Sequence, residues 1–466
     1  MAMNSRVSKA SCEPGDSPHG VQRTRHAGIP LGAVFAAALA IRLAALVVAI
    51  EAPLGEGEIL LDAAGNIAAG RGLCLSDSLL RVPEGAPPIL RRTIEQWAAA
   101  GGVWGVVPPG RPTAFLPPLY PCLLSLFIRC PSGVLLARLL GVMMGSATVA
   151  MAYATARRWS TVAAPFVAIL AVCDPLAAFQ SAEISTHHLA AFTVMLPVCL
   201  VSIRGAGWGW AWAAGSAAGV AFLARPTAWM LLPLLALAVR WNPHRVRHAG
   251  LFVLSAAVVV SPWVVRNALQ LGRPLLLTTN GGRNLWEFNN QKLGPEYAWS
   301  EPQVSRSLYD PIRQRYGDSL LRPELLPFPS FSSESELARD RLLRANFAGF
   351  ARANPRAYAE LVGVRVTQIL ALWPLHSPTW LRMVFAAHSL PILVLACIGT
   401  WLAIRGQGLR LAVGLFVLLF FALHALTAAG FVYRGMIAPF VALLAGDGAV
   451  WLGGVARPTR ESGVTS

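Results

Sequence analysis

A chain of 466 residues that is 55% hydrophobic and only 13% charged is too apolar for an ordinary soluble domain. Its mean hydropathy of +0.53 points to a protein with many membrane spans. The formal charge of +16 is carried mostly by arginine, in short segments between apolar runs and without an aromatic-plus-basic module. That pattern argues against a nucleic-acid partner and suits a lipid bilayer and phosphate ligands.

Taken in order, residues 1–28 are polar, basic and rich in Ser, Gly and Pro, which reads as a disordered cytoplasmic tail. The apolar run 29–50 contains one arginine and no acid. It is too long for a signal-peptide core and lacks a small-residue cleavage site, so it is expected to stay as a helix. Further runs at about 133–156, 160–179, 187–203, 207–224, 226–240, 249–265, 383–404, 411–428 and 435–454 bring the expected spans to about ten, with a range of 9–13. The expected fold class is therefore an all-α polytopic membrane protein. Arg157 and Arg158, Arg204, Arg405 and Arg410 fall on one face with the N-terminus if that end is cytoplasmic. Two long exoplasmic segments follow from this, 51–132 and 266–382, within a membrane domain of 29–455 and before a cytoplasmic tail of 456–466.

Directly after the first run come four acids, Glu51, Glu56, Glu58 and Asp62. Carboxylates at the mouth of a membrane helix are costly against lipid, so they should face water or a ligand. They read either as a polar stop at the membrane surface or as catalytic carboxylates. Asp62 to Arg71 has helical spacing and stops at Gly70 and Gly72. The prolines 117, 118 and 121 open a short apolar helix, 122–130, expected to lie along the membrane surface. Cys74, Cys122 and Cys130 share this outer segment and allow one disulfide, whereas Cys173, Cys199 and Cys397 read as small core residues. The second outer segment is rich in proline from Pro295 to Pro329, which predicts a loop with short helices. Helical periodicity resumes from Phe347 to Trp373.

The run Ser261-Pro-Trp-Val-Val-Arg-Asn267 closes one span, and Thr278-Thr-Asn-Gly-Gly-Arg-Asn284 follows. Trp263 suits the membrane interface, and Arg266 at a helix end suits phosphate. Residues Thr278 to Gly282 form a small polar turn that lets backbone amides approach an anion or a sugar. The plainer reading is a loop with an anchoring tryptophan.

Here the sequence resembles the GT-C superfamily of integral-membrane glycosyltransferases, in the branch of protein O-mannosyltransferases and the lipid A aminoarabinose transferase. The carrying residues are 262–290, then Ala64, Ile67, Gly70 and Gly72, then Arg111-Pro112 and Pro117–Pro121. Ala137-Arg138 with Gly141, Arg225-Pro226-Thr227, Asn354-Pro355 with Tyr358, and Tyr433-Arg434 with Pro439 agree in order. The resemblance covers most of residues 31–455. It implies transfer of a sugar from a polyprenyl-phosphate donor to a lipid, glycan or protein acceptor, outside the cytoplasmic (inner) membrane. Counted back from Gly70 and Gly72, the catalytic base falls on Glu56, with Glu58 next. A positioned carboxylate there takes the proton of the attacking hydroxyl. Arg266, Arg434 and Arg225 are the arginines expected at the lipid phosphate. Asn280, Gly281, Gly282, Asn284 and Tyr120 are expected at the substrate.

One departure stands out. A second acid of the family falls on His187, next to His188, with Glu183 or Asp174 as a substitute carboxylate. Adjacent helical histidines point about 100° apart, so a shared ion is not expected, and the need for a divalent metal stays open. No other cofactor is implied. Two further readings remain: a transporter or flippase, which would more often show inverted repeats and broken helices, and a non-catalytic envelope-assembly protein on the same fold.

Overall fold

The structure, a computed structural model, describes residues 28–50, 56–82, 107–203, 208–240, 246–287, 335–373, 379–427 and 430–455, with a few isolated positions besides. The expected terminal tails, Glu51, and the proline-rich part of the second outer segment lie outside the described residues. Within them every long element is a helix. In chain order these are α1 (Leu31–Ala49), α2 (Glu56–Ala68), α3 (Leu119–Ser125), α4 (Gly133–Trp159), α5 (Ala163–Val172), α6 (Pro175–Ala182), α7 (Thr186–Ser202) and α8 (Trp208–Ala224). Then follow α9 (Leu231–Arg240), α10 (Val246–Leu271), α11 (Gly281–Glu287), α12 (Glu336–Ala353), α13 (Pro355–Ile369), α14 (Thr379–Ile404), α15 (Leu409–Leu426) and α16 (Arg434–Val455).

A helix occupies each of the ten apolar runs read from the sequence. Six are long and apolar enough to cross a bilayer, and α5 with α6 makes a seventh if the pair is one span bent by 50°. In lipid a helix satisfies its own backbone, which is why apolar runs of this length have few alternatives. Val47, Val48 and Leu269 are each more than 70% exposed on such helices. Side chains of that kind are stable only where lipid covers them. The break between α5 and α6 has a local cause. Pro175 cannot donate to the preceding turn, and the Asp174 carboxylate restarts the helix by accepting from the Ala177 N–H at 3.0 Å.

Core packing is strongest where side chains are smallest. A Cβ on Gly399 of α14 would lie 1.8 Å from the Leu444 carbonyl oxygen of α16. The two backbones therefore touch, as small residues allow in membrane bundles. A second apolar cluster lies apart from this one and buries Leu60, Phe115, Tyr120, Trp263 and Trp286. It glues α2 and α3 over the end of α10.

Several boundaries differ from the expectations. The helix expected from Asp62 begins at Glu56, because the first-turn acids Glu56 and Glu58 favour a helix N-terminus. It does stop at Gly70 and Gly72, both in the left-handed region (φ 78° and 76°). The Phe347–Trp373 helix is two helices, starting at Glu336 and parted at Asn354-Pro355. The cysteine expectations fail: Cys74, Cys122 and Cys130 are all free. Cys173 and Cys397 are exposed and Cys199 is half-buried, because these runs turn part of their surface away from protein.

Candidate functional site

The site forms where the ends of several helices converge. Glu56 opens α2, Thr186 opens α7, Arg225 follows α8, His424 lies in the last turn of α15, and Tyr433 precedes α16. An alternating bundle puts these ends together. The first turn of α2 comes very close to the turn before α7: a Cβ on Gly57 would be 2.9 Å from the Ile184 carbonyl oxygen. That approach delivers Glu56 to Thr186. The Thr186 hydroxyl donates to Glu56 Oε1 at 3.4 Å and accepts from Arg225 Nη1 at 3.1 Å. One hydroxyl thus bridges a carboxylate and a guanidinium.

Glu56 is exposed at the surface, yet the protein around it displaces enough water to push its carboxyl above the ordinary carboxylate range. Both hold for a side chain in a concave surface. Arg225, the Thr186 hydroxyl and Arg283 pull it back down. Tyr120, fully buried in α3, has its phenol raised first by burial and then by the charge of Glu56. Its hydroxyl has no hydrogen-bond partner. Glu183 is raised by burial, lowered by Arg138 and raised again by Glu56, which places a second carboxylate within electrostatic reach of the first.

Tyr433 joins the other side. The Arg225 guanidinium lies 5.4 Å from its ring centre. His187 meets it at 6.1 Å and His424 at 4.7 Å. His188 turns the other way, toward the Tyr120 ring at 5.4 Å, and its Nδ1 donates to the Gln180 carbonyl at 3.1 Å. The two adjacent histidines therefore do not converge. Among the described residues no three His, Cys, Asp or Glu side chains gather as a metal site requires. No step below is routed through a metal.

The other expected residues separate. Glu58 is exposed two positions further along α2, about 200° round the helix from Glu56. Arg266 clamps the first outer segment: Nη1 donates to the Thr113 carbonyl at 2.8 Å and Nη2 to the Leu73 carbonyl at 3.1 Å. Arg434 donates to the Ala371 carbonyl at 2.7 Å and to the Ser389 hydroxyl at 3.0 Å. Of the three arginines, Arg225 is the one that shares a hydrogen-bond partner with Glu56. The glycine turn is also spent on protein contacts. The Gly282 N–H donates to Asp340 Oδ1 at 2.6 Å, and a Cβ on Gly281 would strike Arg344. Asn280 Oδ1 accepts from Thr278, and its carbonyl accepts from the Asn284 N–H. The motif reaches the site through Arg283 instead.

Thr186, Arg283 and His424 are residues for which motif reading gave no site role, and Tyr433 entered it only as a motif position. His424 carried a signal: a histidine near the end of an apolar span is costly unless it has a polar task.

Neither a protein-family model nor a curated protein matches the chain. Among solved structures the chain is similar to the archaeal oligosaccharyltransferase AglB from Archaeoglobus fulgidus, in complex with an inhibitory peptide and a dolichol-phosphate. That match has a TM-score of 0.49 and 12% identity over 91% of this chain, which spans only 50% of that one. It is also similar to ArnT from Cupriavidus metallidurans bound to undecaprenyl phosphate, with a TM-score of 0.40 and 15% identity over 90% of this chain and 77% of that one. At these TM-scores and identities the likeness is distant.

Proposed function

We propose that the chain is a multi-pass membrane glycosyltransferase of the GT-C type, with a polyprenyl-phosphate sugar as donor. The acceptor is a hydroxyl on an envelope lipid, glycan or protein, at the outer face of the cytoplasmic membrane. The observation that carries this reading is the Thr186 bridge, which holds a carboxylate and a guanidinium at one water-accessible place. The motif resemblance supplies the reaction class. The donor is a lipid phosphate like those bound by the two solved structures above, but the reading rests on the residues.

The acceptor oxygen forms a bond to the anomeric carbon while the bond from that carbon to the phosphate oxygen breaks. The acceptor proton passes to Glu56 and the electron pair leaves with the phosphate. Arg225 stabilises the charge that develops there, with Arg283 adding to the positive potential. A single displacement of this kind inverts the anomeric configuration. Glu56 is the base in preference to Glu58 because Thr186 orients it. Glu183 extends the acidic wall, and His187 and Tyr433 line the substrate side, with the buried Tyr120 behind them.

The test is Glu56→Gln in proteoliposomes supplied with polyprenyl-phosphate sugars. A fall in rate of about 10²–10⁴-fold is expected for loss of a general base. Wild-type rates in the variant would remove Glu56 from the role. A wild type inactive on every polyprenyl donor would remove the enzyme reading itself.

A further inference from the structure

Inward from the site the bundle contains a cavity of about 30 Å³, lined by Arg42, Asp174, Gln180, Ser181, His188 and Pro439 among others. Its walls come from α1, α4, α5, α6, α7 and α16. Its polar side chains are almost fully buried, Arg42 at 1% exposure and His188 at 4% among them. These two each have one atom without a partner, Arg42 Nε and His188 Nε2. Elsewhere on these groups, Arg42 Nη1 donates to the Ala38 carbonyl at 3.3 Å and His188 Nδ1 donates to the Gln180 carbonyl.

These partners set the proton positions. A carbonyl oxygen only accepts, so the Nδ1 of His188 carries the proton. In the neutral ring Nε2 is then a bare acceptor. Arg42 Nε–H is a donor in every state. The cavity therefore presents one unmet donor and one unmet acceptor in an apolar bundle, where each left alone is costly.

We propose that the cavity is a resident water site, in which one water accepts from Arg42 Nε–H and donates to His188 Nε2. Size supports that occupant. A water needs roughly 10–15 Å³ of such space, and the cavity exceeds this. Gly145 makes the room: a Cβ there would lie 2.9 Å from Arg42 Nε and 2.2 Å from the Ser181 hydroxyl. The water links α1 to α7 and holds the His188 ring in the orientation that packs against Tyr120. The site does not depend on the proposed reaction.

The test is a cryo-electron microscopy map of the full chain in lipid nanodiscs, at a resolution that shows buried waters, for the wild type and for His188→Phe. The expected result is a peak within hydrogen-bonding distance of both atoms in the wild type and none at that place in the variant. An empty cavity in a map that shows other internal waters would overturn the proposal, as would a peak that touches only one of the two atoms or one that survives in the variant. If His188→Phe does not fold, the wild-type map decides alone.

Discussion

The carboxyl of Glu56 and the guanidinium of Arg225 meet on opposite sides of one hydroxyl, 3.4 and 3.1 Å away from it. They are 169 positions apart in the chain, and neither touches the other directly. A direct ion pair would hold both charges in each other's field. The bridged arrangement leaves the carboxylate available to a proton and the guanidinium available to an anion.

This geometry predicts the acid limb of the rate. Glu56 acts only when ionised, and burial raises its carboxyl above the ordinary 4.5. kcat/KM should therefore fall, as the pH drops, at a point above 4.5. The charge of Arg225 lowers that carboxyl, so Arg225→Gln should move the limb to still higher pH. A limb that moves toward acid in this variant, measured by kcat/KM against pH, would contradict the arrangement.

Thr186 should behave as a positioning residue. Thr186→Val keeps the shape and removes the hydroxyl, and a loss of about 1 kcal/mol, or several-fold in kcat/KM, is expected. Thr186→Ser should recover most of it. Equal rates in both variants would show that the bridge has no bearing on turnover.

Arg225 and Arg266 should separate in their effects. Arg266→Gln removes the guanidinium donors from the Leu73 and Thr113 carbonyls, the first of which keeps the Thr113 N–H, and should cost about 1–3 kcal/mol of stability. It should show as a lower melting temperature in detergent, with activity retained at low temperature. Arg225→Gln should lower kcat/KM with a smaller change in melting. The reverse pattern would restore Arg266 as the phosphate ligand.

Glu336 links the two outer segments. It accepts from the Thr113 hydroxyl at 2.5 Å, from the Ala114 N–H at 3.0 Å and from the Thr279 hydroxyl. Burial nevertheless leaves its carboxyl above the usual range. The protonated form is thus favoured by folding, and stability from this group is full below pH 4.5 and declines as pH rises through the folded value. Glu336→Gln keeps an acceptor and removes the ionisation. Its melting temperature should depend less on pH across that window than the wild type's, and an unchanged slope would count against the assignment.

Residues 29–50 and the nine later runs foretold a helix in each place, because apolar length alone leaves a chain in lipid few other ways to satisfy its backbone. Glu56 was singled out through its distance from Gly70 and Gly72, two local features of one segment, and its role as the base is the proposal made above. The partner of Glu56 was not legible. Arg225, Arg266 and Arg434 look alike in sequence, each at the end of an apolar run. Which helix ends converge depends on packing, down to the closeness of Gly57 to Ile184 and of Gly399 to Leu444. That packing gave Arg266 and Arg434 to backbone carbonyls, turned His187 and His188 toward different tyrosines, and left Arg225 beside the acid. Composition and periodicity determine what each segment must be; the charges that face one another are decided by the tertiary structure, because a side chain's partners come from contacts between distant segments.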